Sequence, residues 1–170
     1  MKYIFPLPKS PWPEGRVGPR EQQDWYRAAI KAGRMQASAP DSKILLVSAT
    51  KVEGTKGDLF YYGELFDRSA PHVVSIEAGL ETVTQLGAAE WAAKKAEAKL
   101  VVISTWLHYP RVRWLCRGKN FEHHWVFGIP RLKEVKNDVL LIFLFPLIDI
   151  LGLRAWFLRR VLERREGGKL

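Results

Sequence analysis

Short apolar runs alternate with stretches of helical periodicity along residues 1–130. The apolar runs, rich in β-branched residues, predict five buried strands, and the stretches between them predict four helices. In chain order these elements are strand 2–6, helix 20–37, strand 43–48, helix 58–67, strand 72–77, helix 81–98, strand 99–104, helix 111–117 and strand 121–129. The alternation predicts an α/β fold with a doubly wound, mainly parallel five-stranded sheet, Rossmann-like, in the strand order 3-2-1-4-5.

Residues 131–170 differ in character and predict a C-terminal helical extension of the domain at 1–130. The run 139–148 is apolar, includes Pro146, and is followed by Asp149. A membrane-spanning helix needs about 20 predominantly apolar residues, and this run is shorter. Three arrangements stay open: a helix packed on the domain or on a partner copy, an interfacial anchor that buries Trp156 and Phe157 in a membrane surface, and a true span.

The formal net charge of +9 favours an anionic partner. Residues 154–170 hold six basic and two acidic side chains, so the tail supplies nearly half of the excess. An anionic membrane surface is therefore a candidate partner of the segment 139–170. Nucleic acid is not expected, because no RNA- or DNA-reading motif is present and aromatic residues are not interleaved with the basic tail.

Cys116 is the only cysteine, which excludes an intrachain disulfide and a thiolate zinc cluster. The N-terminal apolar segment is too short for a signal peptide, and no small-residue cleavage site follows it. We expect a cytoplasmic protein, with peripheral attachment at the inner face of the membrane as the alternative.

The densest group of chemically versatile side chains is Ser104, Thr105, His108 and Arg111, which follow the apolar run 100–103. The carboxyl end of a strand is where open α/β sheets bind ligands. Arg111 is suited to bind an anion, and His108 to transfer a proton or donate a hydrogen bond. The alternative is that His108 caps a turn while Arg111 pairs with a surface carboxylate.

Further candidates follow the other strands. Ser48 and Thr50 begin a loop with lysines and glycines that is able to bind phosphate, although it contains neither a Walker motif nor a dinucleotide-binding glycine motif, and a plain solvated loop is the alternative. Glu77 ends the third strand, where it either accepts hydrogen bonds from a ribose or caps the next helix, a task that Thr82 shares. Arg20, after the first strand, is a weaker anion-site candidate.

Residues 104–111, with the sequence Ser-Thr-Trp-Leu-His-Tyr-Pro-Arg, resemble the Thr-Ser-x-x-His-x-x-Arg motif of a bacterial family of envelope-associated proteins typified by YdcF, SanA and ElyC. Glu77 matches that family's acidic residue after the third strand. The family's glycine turn after strand two is replaced here by Ser48-Ala49-Thr50, and its Asn-Thr-x-Glu-Asn stretch keeps only Thr82. The resemblance implies a Rossmann-like fold, a role at the envelope and S-adenosylmethionine as a candidate cofactor.

These patterns together predict a domain that binds a small anionic or nucleotide-like ligand at the strand ends, with or without a reaction. The rival hypothesis is a non-catalytic module that acts at a membrane or on a partner through its C-terminal helix. The sequence is compatible with a homo-oligomer and does not identify the ligand.

Overall fold

The computed structural model of the chain describes residues 1–7, 24–48, 51–52, 55–56, 62–63, 65–78, 82–128, 132–157 and 159–160. Its elements are β1 (Lys2–Leu7), α1 (Asp24–Ser38), β2 (Lys43–Ser48), β3 (Lys51–Val52), β4 (Thr55–Lys56), β5 (Val73–Glu77), α2 (Thr82–Lys95), β6 (Lys99–Thr105), α3 (Tyr109–Leu115), β7 (Phe121–Val126) and α4 (Leu132–Ile150).

Five of the strands form one parallel sheet in the order β5-β2-β1-β6-β7. Numbered as the strands of this sheet occur in the chain, that order is 3-2-1-4-5. The predicted α/β, Rossmann-like fold is therefore confirmed. Strand β1 lies between β2 and β6. The next two strands of this sheet in the chain, β2 and β5, lie on one side of β1, and the last two, β6 and β7, lie on the other.

Both faces of the sheet are covered, which is why its central strands are apolar throughout. Strand β6 is buried at every position after Lys99. Val101 and Ile103 of this strand pack with Ala28 and Ala32 of α1 on one face. Alternate side chains of a strand point to opposite faces, and α2 packs against β1, β2 and β6. The short alanines let α1 approach the sheet closely.

Some predicted elements differ from the structure. The loop predicted after β2 contains an antiparallel pair, β3 and β4, with two residues between the strands, which is the length of a tight hairpin. Helix α3 begins at Tyr109, two residues before the predicted start, with Pro110 in its first turn. Half of the helix predicted at 58–67 lies outside the described residues. Of the rest, 62–63 are helical, whereas 65–66 form a turn and a bend.

The chain divides into two compact units, residues 1–131 and residues 132–170. Within this second unit, helix α4 contains Pro146, and the Phe145 ring meets the Phe157 ring edge to face at 5.7 Å between centroids. The side chain of Asp149 is 5 % exposed and accepts two hydrogen bonds from Arg154. In the described part of the chain, no helix combines the length and apolarity needed to cross a membrane.

Helices α2 and α4 end in the same hydrogen-bond pattern, but with different residues at the left-handed position. After α4, Gly152 has φ of 68° and the next amide donates to Ile148 O. After α2, Glu97 has φ of 50° and the next amide donates to Ala93 O. This conformation costs a residue with a Cβ about 1 kcal/mol relative to glycine.

Replacing Glu97 by glycine is therefore expected to raise the free energy of unfolding by about 0.5 kcal/mol, the relief of strain being partly offset by the freer unfolded chain. The matched change at the other helix end, Gly152→Ala, is expected to lower it by about 1 kcal/mol. Urea denaturation measures both. A Glu97→Gly variant that is less stable than the parent would show that the backbone at Glu97 is not strained.

Glu122 links the amino ends of three neighbouring strands. Its Oε2 accepts a hydrogen bond from Lys2 Nζ at 3.1 Å and lies 3.4 Å from Lys99 Nζ, while its Oε1 is 2.9 Å from His124 Nε2. The hydrogen bond from His124 and then that from Lys2 lower the pKa of Glu122 to about 2. Because the side chains are partly exposed, the stabilisation is modest.

Substituting Glu122→Gln is expected to lower the free energy of unfolding by about 1 kcal/mol at pH 7. The folded-state pKa, about 2, lies below the ordinary value of 4.5, so the stabilisation is complete above pH 4.5 and is lost as the pH falls toward 2. Denaturation curves of both proteins across this range check the prediction. A difference that does not change with pH would contradict it.

Candidate functional site

The candidate site lies where β6 ends and its chain turns into α3. Strand β1, which pairs with both β2 and β6, is where the direction of sheet growth reverses. In folds of this type the helices leave the sheet on opposite faces at that point and open a crevice at the carboxyl ends of the strands. Residues 104–111 begin at the carboxyl end of β6, the neighbour of β1.

Backbone and side-chain hydrogen bonds fix the turn between β6 and α3. Thr105 Oγ1 accepts a hydrogen bond from His108 N at 3.2 Å. Trp106 N donates to Val126 O of β7, so the turn begins as a continuation of the sheet. Pro110, whose ring sets φ for a helical start, lies in the first turn of α3. His108 and Arg111 are thereby placed one helical turn apart.

Arg111 is the centre of the site. Its Nη2 donates to Thr82 Oγ1 at 3.0 Å and contacts His108 Nε2 at 2.8 Å. A guanidinium only donates, so His108 Nε2 accepts and the neutral ring carries its proton on Nδ1. Both side chains are buried, His108 at 3 % and Arg111 at 7 % exposure. The cation is therefore oriented by fixed partners, and it joins the start of α2 to the start of α3.

Ser104 faces β7 instead of this cluster. Its Oγ lies 2.8 Å from His123 Nε2 and 3.3 Å from Thr105 O. Burial, followed by the nearby His124 and Arg113, lowers the pKa of His123 to about 4, so the ring is neutral at neutral pH. A serine beside a histidine is an arrangement of nucleophilic catalysis. Here the serine is fully buried, so the contact joins β6 to β7.

The remaining predicted residues are spread along the same edge of the sheet. Glu77 is exposed at the end of β5 and lies in register with Ser48 at the end of β2. With strands about 4.8 Å apart, the ends of β2 and β5 lie about 10 and 14 Å from the end of β6. The structure thus brings Thr82 to Arg111 and leaves Ser48 and Glu77 at a distance. Thr50 and Arg20 lie outside the described residues.

Two aromatic contacts at the site were not anticipated from the sequence. Tyr109 stacks on His123 with 4.3 Å between ring centroids, and Trp106 stacks on Phe127 at 5.8 Å. His123 belongs to β7, and Phe127 directly follows that strand. Which residues of β6 and α3 they meet depends on the register of the strands, and that has no local signal.

Among the described residues, no group of three or more His, Cys, Asp or Glu side chains is placed to hold a metal ion.

Comparisons of the chain with protein-family models, with curated proteins and with solved structures found no match.

Proposed function

We propose that the unit 1–131 binds a small anionic or nucleotide-like ligand at the carboxyl ends of β1, β2 and β6. The observation that carries this proposal is the buried Arg111, held by Thr82 and His108 at the carboxyl edge of a Rossmann-like sheet. A guanidinium that is already oriented loses little side-chain entropy when it donates to a phosphate or carboxylate.

The start of α2 adds to the attraction for an anion. Thr82, the first residue of this 14-residue helix, contacts Arg111 directly. The amino end of a helix carries a partial positive charge and free amide donors. An anionic group beside Arg111 would therefore meet a cation and a helix end together. Positioning of Arg111 is the role that we assign to His108, because its Nε2 already accepts from the guanidinium; proton transfer at that atom would require this contact to break.

The surroundings favour a ligand with a flat ring and an extended shape. Trp106 is partly exposed, stacks on Phe127, and donates from Nε1 to Gly128 O. A fixed indole is a good surface for a nucleobase. Glu77 stands further along the edge, at a distance that only an elongated ligand would reach. The similarity of residues 104–111 to the YdcF-type motif agrees with such a ligand and makes S-adenosylmethionine a probe worth including.

Thermal unfolding with inorganic phosphate, adenosine monophosphate and S-adenosylmethionine tests the proposal. A probe at 100 times its Kd is expected to stabilise the protein by about 2.7 kcal/mol, which raises the Tm by several degrees. Arg111→Gln should abolish the shift. Arg113→Gln, an exposed arginine on the same helix, is the matched control and should leave it unchanged.

Trp106→Leu tests the base and the phosphate of the proposed ligand separately. It should weaken the binding of adenosine monophosphate and leave the binding of inorganic phosphate unchanged. Probes that stabilise parent and Arg111→Gln equally would place the binding elsewhere. If all three probes leave the Tm of the folded parent unchanged, the proposal fails for phosphate- and nucleotide-like ligands.

As a second candidate, we propose that the unit 132–170 attaches the protein to anionic membranes. Its α4 exposes large apolar side chains at spacings of three and four residues, which places them on one helical face. Leu140 is 61 % exposed, Phe143 73 %, Leu147 53 % and Ile150 76 %. The buried Asp149 is neutralised by Arg154, so it puts no unpaired negative charge on this face. Exposed Arg159 and Arg160 follow.

Sedimentation with phosphatidylcholine vesicles, with and without phosphatidylglycerol, tests this attachment. We expect binding to the anionic vesicles, weakened by salt and by Arg160→Gln, and abolished by Phe143→Ser. Trp91→Ser is the control, since Trp91 of α2 is also 60 % exposed. Equal sedimentation of Phe143→Ser would contradict the proposal. Self-association without vesicle binding, lost in Phe143→Ser, would instead assign the face to a homo-oligomer.

A further inference from the structure

A cavity of about 480 Å³ lies at the amino edge of the sheet, opposite the edge that carries Arg111. Its walls are α2 from Leu86 onward, the first residues of β6, the first residue of β7, and the turn between α3 and β7. All of these residues belong to the unit 1–131. The volume falls in the range of about 300–1,000 Å³ that small-molecule sites occupy.

The inner wall of this amino-edge cavity is apolar. Leu86 and Ala93 of α2, Leu100 of β6 and the thiol of Cys116 all line it and are buried. Burial raises the pKa of the Cys116 thiol to about 11, so the group is neutral at physiological pH and contributes an apolar surface. A hydrocarbon chain or ring placed here would lose its contact with water.

The rim of the cavity is charged, with three lysines and two glutamates. Glu90 forms an ion pair with Lys119, and Lys99 lies 3.4 Å from Glu122. Lys94 has no ion-pair partner among the residues that the structure describes, and its side chain is exposed. The ammonium group of Lys94 is therefore the rim cation most available to a ligand.

We propose that the amino-edge cavity is a second binding site, which takes a small amphiphile with its apolar part against Leu86, Leu100 and Cys116 and its anionic head on Lys94. The complementarity is twofold: an apolar interior matches the tail, and the net positive rim matches a carboxylate or phosphate head. This site is independent of the ligand proposed for the carboxyl edge, which is held by other residues.

The test uses the full chain and a series of eight-carbon probes: octanoate, octyl phosphate, octanol and octylammonium. Titration calorimetry gives the affinities, and amide chemical-shift mapping locates the binding. We expect both anions to bind more tightly than octanol, octylammonium to bind most weakly, and the shifts to cluster at Ala93, Leu100 and Cys116. The two anions distinguish a carboxylate from a phosphate head.

Lys94→Gln is expected to lower the affinity for octanoate and octyl phosphate by about fivefold, as loss of one partly exposed ion pair does. The affinity for octanol should not change. Lys95→Gln is the matched control, since that neighbouring ammonium lies 5.2 Å from the Trp91 ring and does not line the cavity. Ala93→Leu fills the interior and should weaken all four probes. Thermal unfolding verifies that each variant folds.

Three results would overturn the proposal: no binding by the folded parent, shifts located on α4 or at Arg111, or equal loss in the Lys94 and Lys95 variants. Octanoate and octyl phosphate carry the kinds of anion that Arg111 is proposed to bind, so the titrations are repeated with Arg111→Gln, which keeps this cavity. Binding retained by that variant reports on the amino edge alone. A failure here leaves the result for the carboxyl edge to be decided by its own probes.

Discussion

The parallel pairing of β1 with β2 on one side and β6 on the other is the interaction on which the rest of the unit 1–131 depends. It buries the three central strands, and it fixes which elements are neighbours at each edge of the sheet. At the carboxyl edge it makes β6, which leads into the turn before Arg111, the direct neighbour of β1. At the amino edge the same pairing brings Lys2 and Lys99 together, and both form ion pairs with Glu122 of β7.

The two edges of the sheet have different chemistry because different backbone elements end there. The carboxyl edge lies at the start of α2 and of the turn that leads into α3, where the Thr82 hydroxyl and His108 Nε2 accept hydrogen bonds from the buried guanidinium of Arg111. The amino edge lies at the end of α2, where Lys94 and Lys95 suit the negative end of the helix. The cavity at this edge has an apolar inner wall, so a ligand bound there would need a hydrocarbon part.

The main feature of the second unit, residues 132–170, is the exposed apolar face of α4. A helix that exposes Leu140, Phe143, Leu147 and Ile150 leaves a large apolar area in water. Its negative charge at Asp149 is buried and paired. The proposed attachment to anionic membranes uses this apolar face and the exposed Arg159 and Arg160 that follow it, through burial of apolar area and attraction to anionic headgroups.

The sequence by itself determined the order and type of the main elements, because apolar period and length are local properties of the chain. Residues 99–104 read as a buried strand, Pro110 as a helix start, and the alternation as a sheet with the order 3-2-1-4-5. It also singled out Arg111, His108 and Thr82, from residue type and position after strands. The tertiary structure alone decided that Thr82, 29 residues before Arg111 in the chain, meets its guanidinium, and that Ser104 turns to His123. It also decided that Glu77 stands three strands away. Such contacts depend on strand register and helix placement, which arise from packing across the whole sheet and leave no trace in any short stretch of sequence.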